Sequence, residues 1–153
     1  MTIEHSALTG ASLHEPKGVA SATTGKCYVA DGAGSGAWTL MNTRSVQVEL
    51  DDVSTASSAF VICPFAGTVI KIHSVLHNAI TVADAALSTE IGGVAITNGN
   101  WVVATSGSAA GTLDSATPSA ANTVAIGSVL EVITDGGSTT AARLTVTFTI
   151  QVS

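Results

Sequence analysis

Charge is scarce in this chain. Only 10% of its 153 residues are Asp, Glu, Lys or Arg, against about a quarter in an average soluble domain, so part of the surface is expected to be covered by protein rather than water. The five basic residues, Lys17, Lys26, Arg44, Lys71 and Arg143, are scattered. A phosphate backbone is held by clustered Lys and Arg that displace counterions, so nucleic acid is not an expected partner. The net charge of −6 argues against an anionic membrane surface on the same ground. No run approaches the roughly 18 consecutive apolar residues of a spanning helix. The first ten residues, M-T-I-E-H-S-A-L-T-G, place an acid and a histidine where an export signal carries a basic region and an apolar core, so folding in the cytoplasm is expected. Two cysteines, Cys27 and Cys63, lie far apart in sequence; a disulfide is open to them, but reduced thiols fit that compartment better.

What the chain does contain is Ala, Val and Ile for bulk and Ser and Thr for polarity. β-Branched residues suit a pleated surface, and Ser, Thr and Gly weaken helix interiors, so the composition favours strands. The length suffices for one domain and an appendage, not for two cores.

Residues 1–44 do not read as a core-forming segment. Ile3, Leu8, Leu13, Val19, Tyr28, Val29, Trp38 and Leu40 follow neither a helical nor a strand period, and Gly10, Pro16, Gly18, Gly25, Gly32, Gly34 and Gly36 interrupt them. One short strand is expected at Lys26 to Ala30, followed by a turn-rich loop ending at Trp38. Such an arm recovers too little burial to offset about 1–2 kcal/mol of ordering entropy per residue, so it is expected to lie on a partner, with Tyr28 and Trp38 as contacts.

Residues 45–153 read as the folded body. Val46, Val48 and Leu50 alternate with Ser45, Gln47 and Glu49. The strongest pattern runs from Phe60 to Ile80: a strand stopped by Cys63-Pro64, a turn at Ala66-Gly67, then a longer strand. Period-2 alternation along that second strand assigns Ile70, Ile72, Ser74 and Leu76 to a core face and Val69, Lys71, His73, Val75 and His77 to a mixed face suited to a subunit contact. Further strands are expected at Ala86 to Ile91, at Trp101 to Thr105, at Ser128 to Thr134 and at Leu144 to Val152, with a hairpin turn at Gly92-Gly93. Residues 106–122 read as a long loop of small residues. About eight strands and no helix give an all-β, antiparallel, jelly-roll-like sandwich with an extended amino-terminal arm.

No catalytic or metal constellation stands out. His73 and His77, four residues apart on a strand, lie roughly 13 Å apart, too far to share a metal within one chain; packing is the ordinary reading, and a threefold axis is the one route to an ion. Gly18 to Cys27 has the wrong glycine spacing for a phosphate loop and a cysteine where Ser or Thr would bind magnesium. No G-x-S-x-G elbow occurs, Cys63 sits in an apolar strand with nothing local to activate it, and Asp51-Asp52 reads as a solvated turn rather than a glycosidase pair. No cofactor, no metal and no enzymatic activity are expected.

Two stretches carry a resemblance. The arm A-L-T-G-A-S-L-H-E-P-K-G-V-A-S-A-T-T-G-K-C-Y-V-A-D-G-A-G-S-G-A-W resembles a segment found at the amino end of tailed-bacteriophage virion proteins. The body, through C-P-F-A-G-T-V-I-K-I-H-S-V-L, A-I-T-V-A-D-A-A-L and S-G-S-A-A-G-T-L-D-S-A-T-P-S-A-A-N-T-V-A-I-G-S-V-L-E-V, resembles the capsid decoration, or cement, proteins and head fibres of such phages. The resemblance implies a homotrimer of jelly-roll subunits on the capsid exterior, bridging subunits of the major capsid protein and stabilising the head. It places capsid or intersubunit contacts at Leu13, His14, Glu15, Pro16, Lys17 and Gly18, to which the apolar arm residues Leu8, Tyr28 and Trp38 are added. Lys71, His73, Val75 and His77 become candidates for the trimer face. The alternative is a receptor- or glycan-binding head fibre or tail adhesion module, for which the tryptophan available outside the arm is Trp101.

Overall fold

The computed structural model describes residues 26–30, 32–33, 36–40 and 42–153. The chain divides into two compact units, Met1–Met41 and Asn42–Ser153. The body therefore begins at Asn42 rather than Ser45.

In the first unit, β1 (Lys26–Ala30) and β2 (Gly36–Leu40) form an antiparallel hairpin. The end of the expected loop, from Gly36 to Trp38, is thus part of a second strand. Its cause is the aromatic pair: Tyr28 and Trp38 stand directly opposite each other across the hairpin, with ring centroids 5.5 Å apart in an edge-to-face arrangement. Such a cross-strand pair fixes register in a segment otherwise poor in apolar residues.

The body is built of ten short strands: β3 (Thr43–Leu50), β4 (Ser57–Ile62), β5 (Gly67–Leu76), β6 (Ala85–Ile91), β7 (Val94–Ala95), β8 (Trp101–Val103), β9 (Leu113–Ala116), β10 (Thr123–Val124), β11 (Val129–Thr134) and β12 (Leu144–Val152). One sheet has the order β3-β12-β5, with β9 and β10 both on the far side of β5. The other has the order β4-β11-β6, with β7 and β8 both on the far side of β6. β7 and β8 act as one interrupted strand, as do β9 and β10, so each sheet has four positions. Every pairing is antiparallel. The chain alternates between sheets through β3, β4, β5 and β6, turns back within the second sheet, and retraces the alternation through β9/β10, β11 and β12. That is the winding of a jelly roll.

Alternation drives this packing. Leu144, Val146, Phe148 and Ile150 of β12 are fully buried, as are Leu130 and Val132 of β11. With Val46, Val48, Leu50, Ile72, Leu76, Leu87, Trp101 and Val103 they form one apolar core between the sheets. Ile91 and Val94 pair across a two-residue turn in which Gly92 and Gly93 both have positive φ, 57° and 81°, as a type I′ hairpin demands.

Two expectations need correction. The long strand β5 does not keep one alternation. Lys71 pairs with Thr149 and Val69 with Ile150, leaving Ile70 unmatched at a bulge. One extra residue reverses the faces on its amino-terminal side, so Val69 is buried and Ile70 is exposed, opposite to the sequence pattern, while Ile72, Ser74 and Leu76 stay inward. Residues 106–122, expected to be a loop, contain β9, which pairs with Ile72 to Val75. The remainder is held by the body itself: Ser108 Oγ bonds both the N–H and the carbonyl of Ile80, and Asn122 Nδ2 donates to the Val69 carbonyl.

Candidate functional site

The residues expected to carry function fall into three groups. Leu8, Leu13, His14, Glu15, Pro16, Lys17 and Gly18 lie outside the described residues. Tyr28 and Trp38 are half-buried and pack edge to face across the β1–β2 hairpin. Lys71, His73 and Val75 do share the outer face of the β3-β12-β5 sheet, in rows set by its register: Lys71 beside Thr149, His73 beside Thr147, Val75 beside Thr145. His77 follows β5.

Polar ends on this face are largely satisfied inside one copy. Lys71 Nζ donates to Thr117 Oγ1 at 2.9 Å, and His77 Nε2 lies 2.8 Å from Thr145 Oγ1. Gln47 Nε2 donates to Thr147 Oγ1 at 3.0 Å. His73 differs, since its buried Nδ1 has no hydrogen-bond partner. Threonines supply β12 with a polar outer row while their branched carbons keep the extended backbone. Val75 is directly opposite Leu113, and both are exposed, giving a small apolar spot at the β9 side. Among the described residues no three His, Cys, Asp or Glu side chains are grouped to hold a metal ion.

The carboxylates have structural work. Asp52 accepts bonds from the Ser54 N–H and hydroxyl, both 2.8 Å, and from the Ala142 N–H at 3.3 Å. These donors, the Ser54 N–H foremost, hold its carboxyl below the usual range. A carboxyl depressed on folding contributes stability above its unfolded pKa, and that contribution is lost as pH falls through the lower folded value. Asp52→Ala is therefore expected to lower the melting temperature at pH 7, with the gap to wild type closing as the pH approaches 3; a gap independent of pH would show that the carboxylate is not its source. Asp114 has the opposite sign. Burial pushes its carboxyl up, and one of its oxygens is buried without a partner. Its ionisation opposes folding at neutral pH and ceases to do so as the pH falls. Asp114→Asn is expected to raise stability at pH 7 by under about 1 kcal/mol, because solvent screens a partly exposed group, and the gain should disappear near pH 4 in thermal melts.

What the sequence did not reveal is an apolar patch on the outer face of the second sheet. Phe60 and Ile62 of β4 are 61% and 65% exposed, and Val129, directly opposite Ile62, is 39% exposed. Ile126, 75% exposed, sits in the turn whose Ser128 carbonyl receives the Cys63 N–H. Trp101, by contrast, is 7% exposed on the inner face of β8; it belongs to the core and offers no platform for a sugar ring. Cys63 is buried and Cys27 exposed, both free.

No family model matches the chain, and no curated protein matches it. Among the described residues no helix is long and apolar enough to cross a membrane.

Proposed function

We propose that this is a structural protein of a tailed-phage virion, a decoration or cement protein that self-associates on the outside of the head and stabilises the shell by bridging neighbouring major capsid subunits. The observation that carries the reading is the body's exterior: large apolar side chains stand exposed on the outer faces of both sheets, on a chain with little charge. Exposed apolar clusters of this kind mark surfaces that meet other proteins. The jelly roll supplies a rigid block, and several weak contacts made by one oligomer add through effective concentration, so no single contact has to be strong. The proposed role requires no catalysis and no cofactor.

Heads of the parent phage that lack the protein, mixed with purified full chain, provide the test. Saturable co-sedimentation is expected, together with release of packaged DNA at a temperature several degrees higher than from bare heads. Absence of binding, or an unchanged release temperature at full occupancy, would overturn the reading.

A further inference from the structure

We propose that β4 is a self-pairing edge: two copies join β4 to β4, antiparallel about a twofold axis, so that their second sheets become one continuous sheet. The inference names a partner surface for the self-association proposed above and rests on the geometry of β4.

The hydrogen-bonding groups come first. Among the described residues β4 ends its sheet, with β11 on one side and no strand on the other. Cys63 turns both its N–H and its carbonyl toward the β11 side, bonding the Ser128 carbonyl and the Gly127 N–H, each at 2.8 Å. Backbone groups alternate along an antiparallel strand, so Val61 and Ala59 also face β11, and Ser58, Phe60 and Ile62 turn theirs outward. A twofold register that places Phe60 opposite Phe60 pairs Ser58 with Ile62 on either side. Each of these pairs exchanges two hydrogen bonds, so the register satisfies every outward group of the three residues.

Side chains support the same register. Phe60 and Ile62 are on one face, so the two Phe60 rings meet across the axis, and each reaches the partner's Ile62 diagonally, within the range of aromatic side chains. From their fractional exposures, Phe60, Ile62, Ile126 and Val129 present on the order of 400 Å² per copy, within the roughly 300–600 Å² of the largest apolar patch on a typical monomer. Two such patches with their strand backbones approach the roughly 1,000 Å² total that a specific interface needs.

Charge explains why this edge and a second copy are matched. The corresponding edge of the other sheet, β3, carries Arg44 and Glu49, and charged edges resist strand addition. β4 reads Ser-Ser-Ala-Phe-Val-Ile, without charge or proline, so nothing on it repels its own copy. The nearest acids on that face are the Glu131 side chains, each opposite Phe60 on β11. Across β11-β4-β4-β11 they lie three strand spacings apart, roughly 14 Å, beyond the screening length of about 8 Å at physiological salt. The pairing also leaves Lys71, His73, Val75 and His77, on the other sheet, outside the contact.

The test uses free full-length protein, without capsids, so it is independent of whether the chain binds a shell. Light scattering of wild type is expected to give a dimer. Phe60→Asp, at an exposed position that should leave the melting temperature near wild type, is expected to raise the dimer dissociation constant at least 100-fold. In a Cys27→Ser background, Phe60→Cys should form an interchain disulfide on mild oxidation, since paired Cα atoms about 5.5 Å apart lie within disulfide range. Ser58→Cys should not, its two copies being roughly 13 Å apart. A monomer, or a trimer as the sequence resemblance implies, overturns the proposal, as does equal cross-linking of the two cysteine variants.

Discussion

Phe148→Ala is expected to cost about 3–5 kcal/mol, a large share of the 5–15 kcal/mol by which a domain is ordinarily stable. Phe148 is fully buried at the middle of β12, with Ile72 opposite it on one side and Val46 on the other. Its ring therefore touches the inner rows of three strands at once, and both neighbours are held by ladder hydrogen bonds that prevent collapse into the space left behind. The cavity is expected to remain largely open, which puts the cost near the top of the range. For a body of this size the melting temperature should fall by about 15 °C, measured on the full chain by circular dichroism. A change under about 4 °C would mean that the sheets can close over the gap and that the core is looser than its burial indicates.

The second large effect is expected at Gly136. It follows β11 with φ of +73°, and a Cβ there would run into the backbone of Thr55 and Ala56, in the connection from β3 to β4. Left-handed backbone costs a side-chain-bearing residue about 1–3 kcal/mol, and overpacking against immovable backbone adds a comparable amount. Gly136→Ala is expected to lose about 2–5 kcal/mol. Gly92→Ala separates the two contributions, because Gly92 has φ of +57° with open space around it and should lose only about 1 kcal/mol. Equal losses at the two positions in denaturant titrations would show that the contact with residues 55 and 56 carries no weight.

The fold class is legible wherever burial has a single period. β12 alternates without fault from Leu144 to Ile150, and the two glycines of the Gly92-Gly93 turn sit where a type I′ turn needs them. β5 misleads for a physical reason: Val69 and Ile70 are both apolar and β-branched, so the residues give no sign of which one the bulge expels. β9 is missed because its four residues, Leu-Asp-Ser-Ala, carry one large apolar side chain, and that one points outward. Trp101 reads as a free aromatic only while β8 has no neighbours. The Phe60–Ile62 patch was the least legible, since Phe-Val-Ile is apolar at every position. Only the register of β4 on β11, which sets Phe60 opposite Glu131 and Ile62 opposite Val129, decides that Phe60 and Ile62 face out, and that register comes from long-range pairing no local pattern contains.

The position of β12 also sets when the body can form. The strand is inserted between β3 and β5, so Leu50 meets Leu144 and Thr43 meets Gln151, partners separated by most of the body's length. Closing loops of that size must precede the contacts that reward them, which places such a topology among slow folders. During synthesis the first strand of the body waits for its last one. Through that interval β3, β4 and β5 have their inner faces uncovered, and uncovered apolar faces and unpaired strand edges are what make a folding intermediate prone to aggregate.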